Sequence, residues 1–323
     1  MISLKDKHVL VTGGAGFIGS NIVAALLLQS ARVTVLDNLS TGNYTNIEPF
    51  INNPLFTFVE GDICNYETCL NALNDVDAIT HQAALGSVPR SIEFPHNTHL
   101  VNATGFLNML NAAKERGVKR FVYASSSSVY GDSKVSPKTI GSEGRLLSPY
   151  AVTKQLNEMY AGVYHQLHQQ ETIGLRYFNV FGPNQDPNGA YAAAIPKFID
   201  AMLNGGQITI HGDGEQTRDF TYVKNAVKAN ILALSTENSA AFGKSFNVAC
   251  GQYYTLNQVI NSIRTVLDDK RRFNAATTIV HGPERSGDIR DSLAEISDTK
   301  GVLNYTDLVY FDAGMKEYLD TII

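Results

Sequence analysis

The chain has 323 residues, 44% hydrophobic and 18% charged, enough to bury a large core as one large domain or two ordinary ones. Its 26 basic and 31 acidic residues leave a net charge of −5, a field of the wrong sign for broad attraction to nucleic acid or to an anionic membrane. Cys64, Cys69 and Cys250 make no C-x-x-C pair, which argues against a disulfide framework or a zinc site, and the longest apolar run, 22–28, is far too short to span a bilayer.

The N-terminus lacks a signal-peptide apolar region and runs straight into a strand pattern, so a cytoplasmic protein is expected. Strands are expected at His8–Thr12 (HVLVT), 32–36 (RVTVL), Phe56–Glu60 (FTFVE), Ala78–His81 (AITH) and 121–124 (FVYA), all short runs rich in β-branched and aromatic residues. Helical spacing falls between them at 16–29, 68–74 and 101–116, with Gly117 placed as a C-cap before the last strand. This alternation predicts an α/β fold with a doubly wound parallel sheet. After Phe178 the rhythm changes: 181–191 reads as a Pro-, Gly- and Asn-rich loop, 218–234 as a strand and helix, and 256–267 as a helix. The expected organisation is a first domain over 1–180, to which 218–250 returns. A smaller mixed α/β domain from 181–217 and 251–323 is interleaved with it.

Thr12-Gly13-Gly14-Ala15-Gly16-Phe17-Ile18-Gly19 follows the first strand and opens the first helix. Glycines there let the backbone approach a pyrophosphate, whose charge the free N–H groups of the helix N-terminus favour. The second strand runs into Asp37, where a carboxylate can accept bonds from ribose hydroxyls and repel a 2′-phosphate. No arginine follows it, only Asn38-Leu39-Ser40, so the expected cofactor is NAD and not NADP. Asp62 and Ile63, after the third strand, are placed to contact the adenine.

Ser148-Pro149 begins a helix, with serine as N-cap and proline at the first helical position. Tyr150 and Lys154 then lie one turn apart on one face. A tyrosine of ordinary pKa near 10 is a poor base at neutral pH, and a lysine ammonium stabilises its phenolate. Ser125 to Ser128 close the fifth strand at the sheet end where ligands bind, and one of these hydroxyls can bridge tyrosine and substrate. His165 and His168 lack a His-Glu-x-x-His pattern, so no metal site is expected.

TGGAGFIG, LDN, GDI, HQAA, SSS-x-VYG, SPYAVTK, LRYFNVFGP and RDF occur in one order along the chain. In this it resembles the extended short-chain dehydrogenase/reductase family, with its Rossmann domain. HQAALGSVPRS, QDPNGAYAA and GDIRDSLAEIS are similar to the nucleotide-sugar 4-epimerase branch that acts on UDP-N-acetylhexosamines. The resemblance implies transient oxidation at C4 of a UDP-sugar, with Tyr150 as base, Ser126 as catalytic serine and Lys154 orienting the nicotinamide ribose. It extends the cofactor set to Gln82, Ala83 and Ala84, and to Tyr150 and Lys154 themselves. On the substrate side it implies Asn179, Arg218 and Arg285 at the diphosphate, Thr209 at the uracil and Asp288 at the ribose. Ser127, Ala193 and Ser292 become small sugar-pocket residues, with Gly86, Ser87 and Gln185 nearby; a small Ser292 wall leaves room for a 2-acetamido group.

Dehydratases and decarboxylases of the same fold place an acid just before VYG, where this chain has Ser127 and Ser128. UDP-uronic acids, with Arg90 as carboxylate partner, and plain UDP-glucose or UDP-galactose stay open as epimerase substrates. The resemblance also implies a homodimer built on helices 101–116 and 150–168; Leu107, Leu110, Tyr160, Val163 and Tyr164 are candidate contacts, and ordinary core packing explains them as well.

Overall fold

The apolar runs of the first half form β1 (His8–Thr12), β2 (Arg32–Asp37), β3 (Phe56–Glu60), β4 (Ala78–His81) and β5 (Arg120–Ser126) in a computed structural model that describes residues 2–188, 192–283 and 290–323. With β6 (Glu171–Tyr177) and the strand Lys244–Val248 they make a seven-stranded, all-parallel sheet. Its order is Lys244–Val248, β6, β5, β4, β1, β2, β3. Every residue of β1 is buried, as expected where helices cover both faces of a sheet.

On one face, Ile22, Val23 and Leu26 of α1 (Phe17–Leu28) pack with Ala226 and Ala229 of the helix Val223–Ser235 against Val33 and Val35. After α2 (Tyr66–Asn71), α3 (Val88–Glu93) and α4 (Pro95–His99), the other face is covered by α5 (Phe106–Glu115) and α6 (Pro149–His168). There Phe106 and Met109 meet Ile79, Phe121 and Tyr123. A second core of Phe181, Ile195, Phe198, Ile260 and Phe311 sits under the helices Ala194–Asn204, Leu256–Asp269 and Phe311–Asp320. Beside it Gln207–His211 pairs in parallel with Thr278–Gly282. Among the described residues, no helix is long and apolar enough to cross a membrane.

The helix expected at 101–116 is interrupted. Leu100–Gly105 forms a π-helical stretch between α4 and α5. Two local contacts accompany this bulge. A Cβ on Gly105 would lie 2.7 Å from the Ile63 side chain, so the helix crosses close over that residue. Asn102 accepts from Leu85 N at 2.7 Å and donates to Leu85 O at 3.1 Å, fixing the segment after β4. Such bulges turn a side chain toward a partner that a regular helix would miss.

The candidate contact residues divide between core and surface. Leu110 is fully buried in the core beside the sheet, and Tyr164 packs partly against it. The large apolar side chains that α6 leaves exposed are Val152, Met159, Tyr160, Val163 and Leu167.

Candidate active site

Strand order reverses between β1 and β4, and ligands of open parallel sheets bind at the carboxyl ends beside such a reversal. A cavity of about 580 Å³ lies there. It brings together Gly13, Gly16, Phe17, Ile18, Asp37, Asn38, Asp62, Ile63, Gln82, Ala83 and Ala84 from the expected cofactor set. Ser126, Tyr150 and Lys154 line the same cavity, as do Gly86, Ser87, Asn179, Gln185 and Ala193.

The glycine turn is locked by its own backbone. Gly13 sits at φ +67°, where a side chain would be strained, and a Cβ there would come within 2.6 Å of Ala83 N. The N-cap of α1 is Gly16, with no side-chain cap, so its first N–H groups face the crevice unblocked. Asp37 Oδ2 accepts from Ala15 N at 2.9 Å, and Oδ1 accepts from Leu39 N at 2.8 Å. An acidic residue thus stands at the end of β2 beside an uncapped helix N-terminus and a cradle that only glycine fits. These residues suit a dinucleotide pyrophosphate and its adenosine ribose.

Ser148 caps α6 by accepting from Ala151 N at 3.2 Å, and Pro149 occupies the first turn. This sets Tyr150 half-buried at the crevice and Lys154 buried one turn further on. Lys154 Nζ donates to the Ala124 carbonyl at 2.8 Å and lies 5.8 Å from the centre of the Tyr150 ring. Burial raises the Tyr150 pKa, and the Ser126 hydroxyl opposes only part of that rise. Burial lowers Lys154 to about 8, with the Glu158 charge opposing that fall. His81 lies behind them, between Phe106 and Phe121, bonded to Thr12 Oγ1 at 2.9 Å. Burial drives its pKa down to about 3, so it is neutral and structural.

The remaining expected residues are more dispersed. Ser127 begins the tight turn Ser127–Tyr130 directly after Ser126. Arg218 and Ser292 face each other across a short parallel pairing, with Arg218 Nη1 donating to the Thr217 carbonyl at 2.8 Å. Thr209 is exposed on the strand Gln207–His211 and does not line the cavity. Arg285 and Asp288 lie outside the described residues.

Several residues that position the site went unread in the sequence. Asp219 joins three segments by accepting from Cys250 N and Gly251 N at 3.0 Å and from Ala294 N at 3.3 Å. Its own N–H donates to Ser292 O at 2.7 Å, and its carbonyl accepts from the Asn179 side chain at 3.0 Å. Burial pushes its carboxyl up to about 7 against the pull of those N–H groups. Tyr177 lines the cavity and donates to Gln82 Oε1 at 3.0 Å, while Asn230 donates to its hydroxyl at 2.7 Å. Helical spacing from Lys154 was the available signal for Glu158; Asp219 and Tyr177 had only their places in RDF and LRYFNV.

Residues 9–249 match the NAD dependent epimerase/dehydratase family. The chain belongs to this family. Among solved structures it is similar to the UDP-N-acetylglucosamine 4-epimerase of Methanobrevibacter ruminantium, solved with UDP-N-acetylmuramic acid, at 38% identity and a TM-score of 0.88 over 98% of each chain. It is 33% identical to the UDP-glucose 4-epimerase of Mycolicibacterium smegmatis over 97% of both chains. It is also 30% identical, over 96% of both chains, to the UDP-N-acetyl-alpha-D-glucosaminuronate decarboxylase of Bacillus cytotoxicus.

Proposed function

We propose that the chain is a 4-epimerase interconverting UDP-N-acetylglucosamine and UDP-N-acetylgalactosamine. The observation that carries this reading is the Tyr150, Ser126 and Lys154 arrangement beside the glycine cradle. An ammonium held 5.8 Å from the Tyr150 ring favours the phenolate, which a base near neutrality requires. Tyr150 takes the proton of the sugar 4-hydroxyl, with Ser126 bridging the two oxygens, and later returns a proton to the same oxygen. When bound, NAD supplies the hydride acceptor and then the donor at C4. Between the two halves the 4-keto sugar turns to present its other face to the same groups, so net redox is zero.

Residues 1–180 with 218–250 are the NAD-binding part on this reading, and 181–217 with 251–323 the nucleotide-sugar part. Asn179 and Arg218 hold the diphosphate, a suitable task for a planar guanidinium. The uracil end extends toward Thr209. Elimination or decarboxylation needs a further acid or base beside the reacting carbons, and the positions before Val129 are Ser127 and Ser128. The epimerase reading is therefore preferred over that of the decarboxylase relative.

A second reading has one observation in its favour. Arg90 lines a neighbouring cavity together with Gly86 and Gln185, so a UDP-N-acetylhexosaminuronic acid would find a cation for its carboxylate. Proton NMR of the anomeric region after mixing purified protein with UDP-N-acetylglucosamine tests the two. Appearance of UDP-N-acetylgalactosamine supports the first. No change even with NAD supplied, but turnover of the uronic acid, supports the second.

Ser292→Tyr is the specificity test. Ser292 is half-buried in register with Arg218 and on this reading belongs to the wall of the sugar pocket, which a tyrosine ring would narrow. A clash of about 1–3 kcal/mol corresponds to a loss of about 5- to 150-fold on N-acetylated substrates, with UDP-glucose little affected. Equal losses in kcat/KM on both would reject the wall.

We also propose a homodimer formed through the exposed apolar face of α6, with Ile92 and Phe94 beside it. A patch of this kind rarely stays in water. Sedimentation should give twice the chain mass at working concentration, and a monomer would overturn the assignment.

A further inference from the structure

Beneath the catalytic residues lies a buried ionic cluster that the reaction as described does not use. Glu158 is four residues past Lys154 on α6, hence on the same face one turn on. Its Oε1 accepts from Ser125 Oγ at 2.5 Å and from Arg176 Nε at 2.9 Å, and its Oε2 accepts from Arg176 Nη2 at 2.7 Å. The other arm of the guanidinium, Nη1, donates to Glu143 Oε1 at 2.5 Å. The Tyr130 ring stacks under the guanidinium, 4.9 Å from Cζ. The Arg176 and Glu158 side chains are only 4% and 9% exposed.

The register of β5 on β6 gives this cluster its leverage. Ser125 stands opposite Arg176, and Ser126 opposite Tyr177. The Ser125 hydroxyl is tied to α6 through Glu158, while its neighbour Ser126 lines the cavity with Tyr150, where its hydroxyl favours the phenolate. One carboxylate therefore fixes the strand that carries the serine to the helix that carries the tyrosine and lysine.

Charge balance adds a second constraint. Two carboxylates, Glu143 and Glu158, face one guanidinium, Arg176, leaving a net single negative charge in the cluster. Buried charge is costly unless compensated. The groups facing Lys154 from the elements around it are Tyr150 and Glu158 on α6, the Ala124 carbonyl on β5 and neutral His81 on β4. Lys154 as an ammonium closes the balance.

We propose that Glu158 is a positioning residue for this active site: it clamps the Ser125–Ser126 strand end to the helix that carries Tyr150 and Lys154. The proposal rests on the Tyr150, Ser126 and Lys154 roles above. Because the Glu158 charge favours protonated Lys154, its removal makes the ammonium lose its proton at lower pH. The alkaline limb of the kcat profile then moves down.

Glu158→Gln keeps the shape and removes the charge. It should lower kcat by about tenfold to a hundredfold and shift the alkaline limb down by about one pH unit. The Lys154 ammonium, followed by NMR titration of the holoenzyme, should shift the same way. That titration needs no turnover, so it decides the point even if the epimerase reading fails. Glu143→Gln removes the other carboxylate from Arg176; because that side chain is 24% exposed and its charge is screened by water, the change should lower Tm and move the limb less than Glu158→Gln does. If Glu158→Gln does not fold, Glu158→Asp serves: the charge stays, so the limb stays, while the shortened reach to Ser125 lowers kcat. A Glu158→Gln enzyme with an unmoved limb and unmoved lysine titration, or a Glu158→Asp enzyme with full kcat, overturns the proposal.

Discussion

Tyr150→Phe should lose about 10²- to 10⁴-fold in kcat, the usual contribution of a positioned acid–base group, while NAD stays bound. The substitution deletes one oxygen. Lys154 keeps its bond to the Ala124 carbonyl, α6 keeps its Ser148 cap, and the glycine turn on the far side of the crevice is untouched. On the proposed reading, what disappears is the group that takes the proton from the sugar oxygen. Ser126, left beside a bare ring, has no comparable basicity. Turnover of UDP-N-acetylglucosamine by anomeric proton NMR, with NAD content of the purified protein measured in parallel, separates chemistry from binding. A variant keeping more than about a tenth of wild-type kcat would remove Tyr150 from the base role. One that loses NAD as well would show the phenol to be part of the cofactor site.

What could be read directly from the chain was local. β1, β3 and β4 fall at their expected bounds: β1 and β4 are buried throughout, and the edge strand β3 is marked by its aromatic and β-branched residues. β6 was not anticipated. Gly174 interrupts its pattern, yet the structure requires that glycine: a Cβ there would lie 2.6 Å from the Tyr123 hydroxyl and 2.5 Å from Ser245 Oγ. The strand Lys244–Val248 went unread as a strand for a related reason. It is short and half polar, and its place at the sheet edge depends on pairing with β6. The π-helical stretch over Leu100–Gly105 leaves no mark in hydrophobic spacing, since Asn102 is turned inward by a partner, Leu85, that lies elsewhere in the chain.

The site divides in the same way. The glycine turn, Asp37 and the Tyr150–Lys154 pair are set by neighbours within a few residues or at a fixed spacing, so residue types alone point to them. The pairing of Arg218 with Ser292, and the knot at Asp219 that supports both, join segments some 30 and 70 residues apart. No periodicity carries that information. Glu158 sat at a readable spacing from Lys154, but its significance comes from Arg176 and Ser125, which only the folded sheet brings to it.

Gly19→Ala should destabilise the protein and strip it of NAD, although alanine is the better helix former by about 1 kcal/mol. The reason is steric. A Cβ on Gly19 would lie 2.1 Å from the Gly13 carbonyl oxygen and 2.8 Å from Gly14 Cα, and both are backbone, so no side chain can swing aside. Either α1 lifts from the sheet, disturbing Ile22, Val23 and Leu26 in the core, or the turn moves and loses the Ala15 to Asp37 bond. Overpacking of this kind costs about 1–3 kcal/mol, more than the helix propensity returns. Gly301 provides the contrast. It lies in the helix Ser297–Leu303 with nothing within 4 Å of the added Cβ, so Gly301→Ala should raise Tm slightly and leave NAD content alone. Thermal melts and cofactor content of the two purified variants read both effects. An unchanged Tm with full NAD in Gly19→Ala would mean that the turn yields more cheaply than its backbone contacts imply, and the close approach of helix and turn would lose its claim to shape the cofactor site.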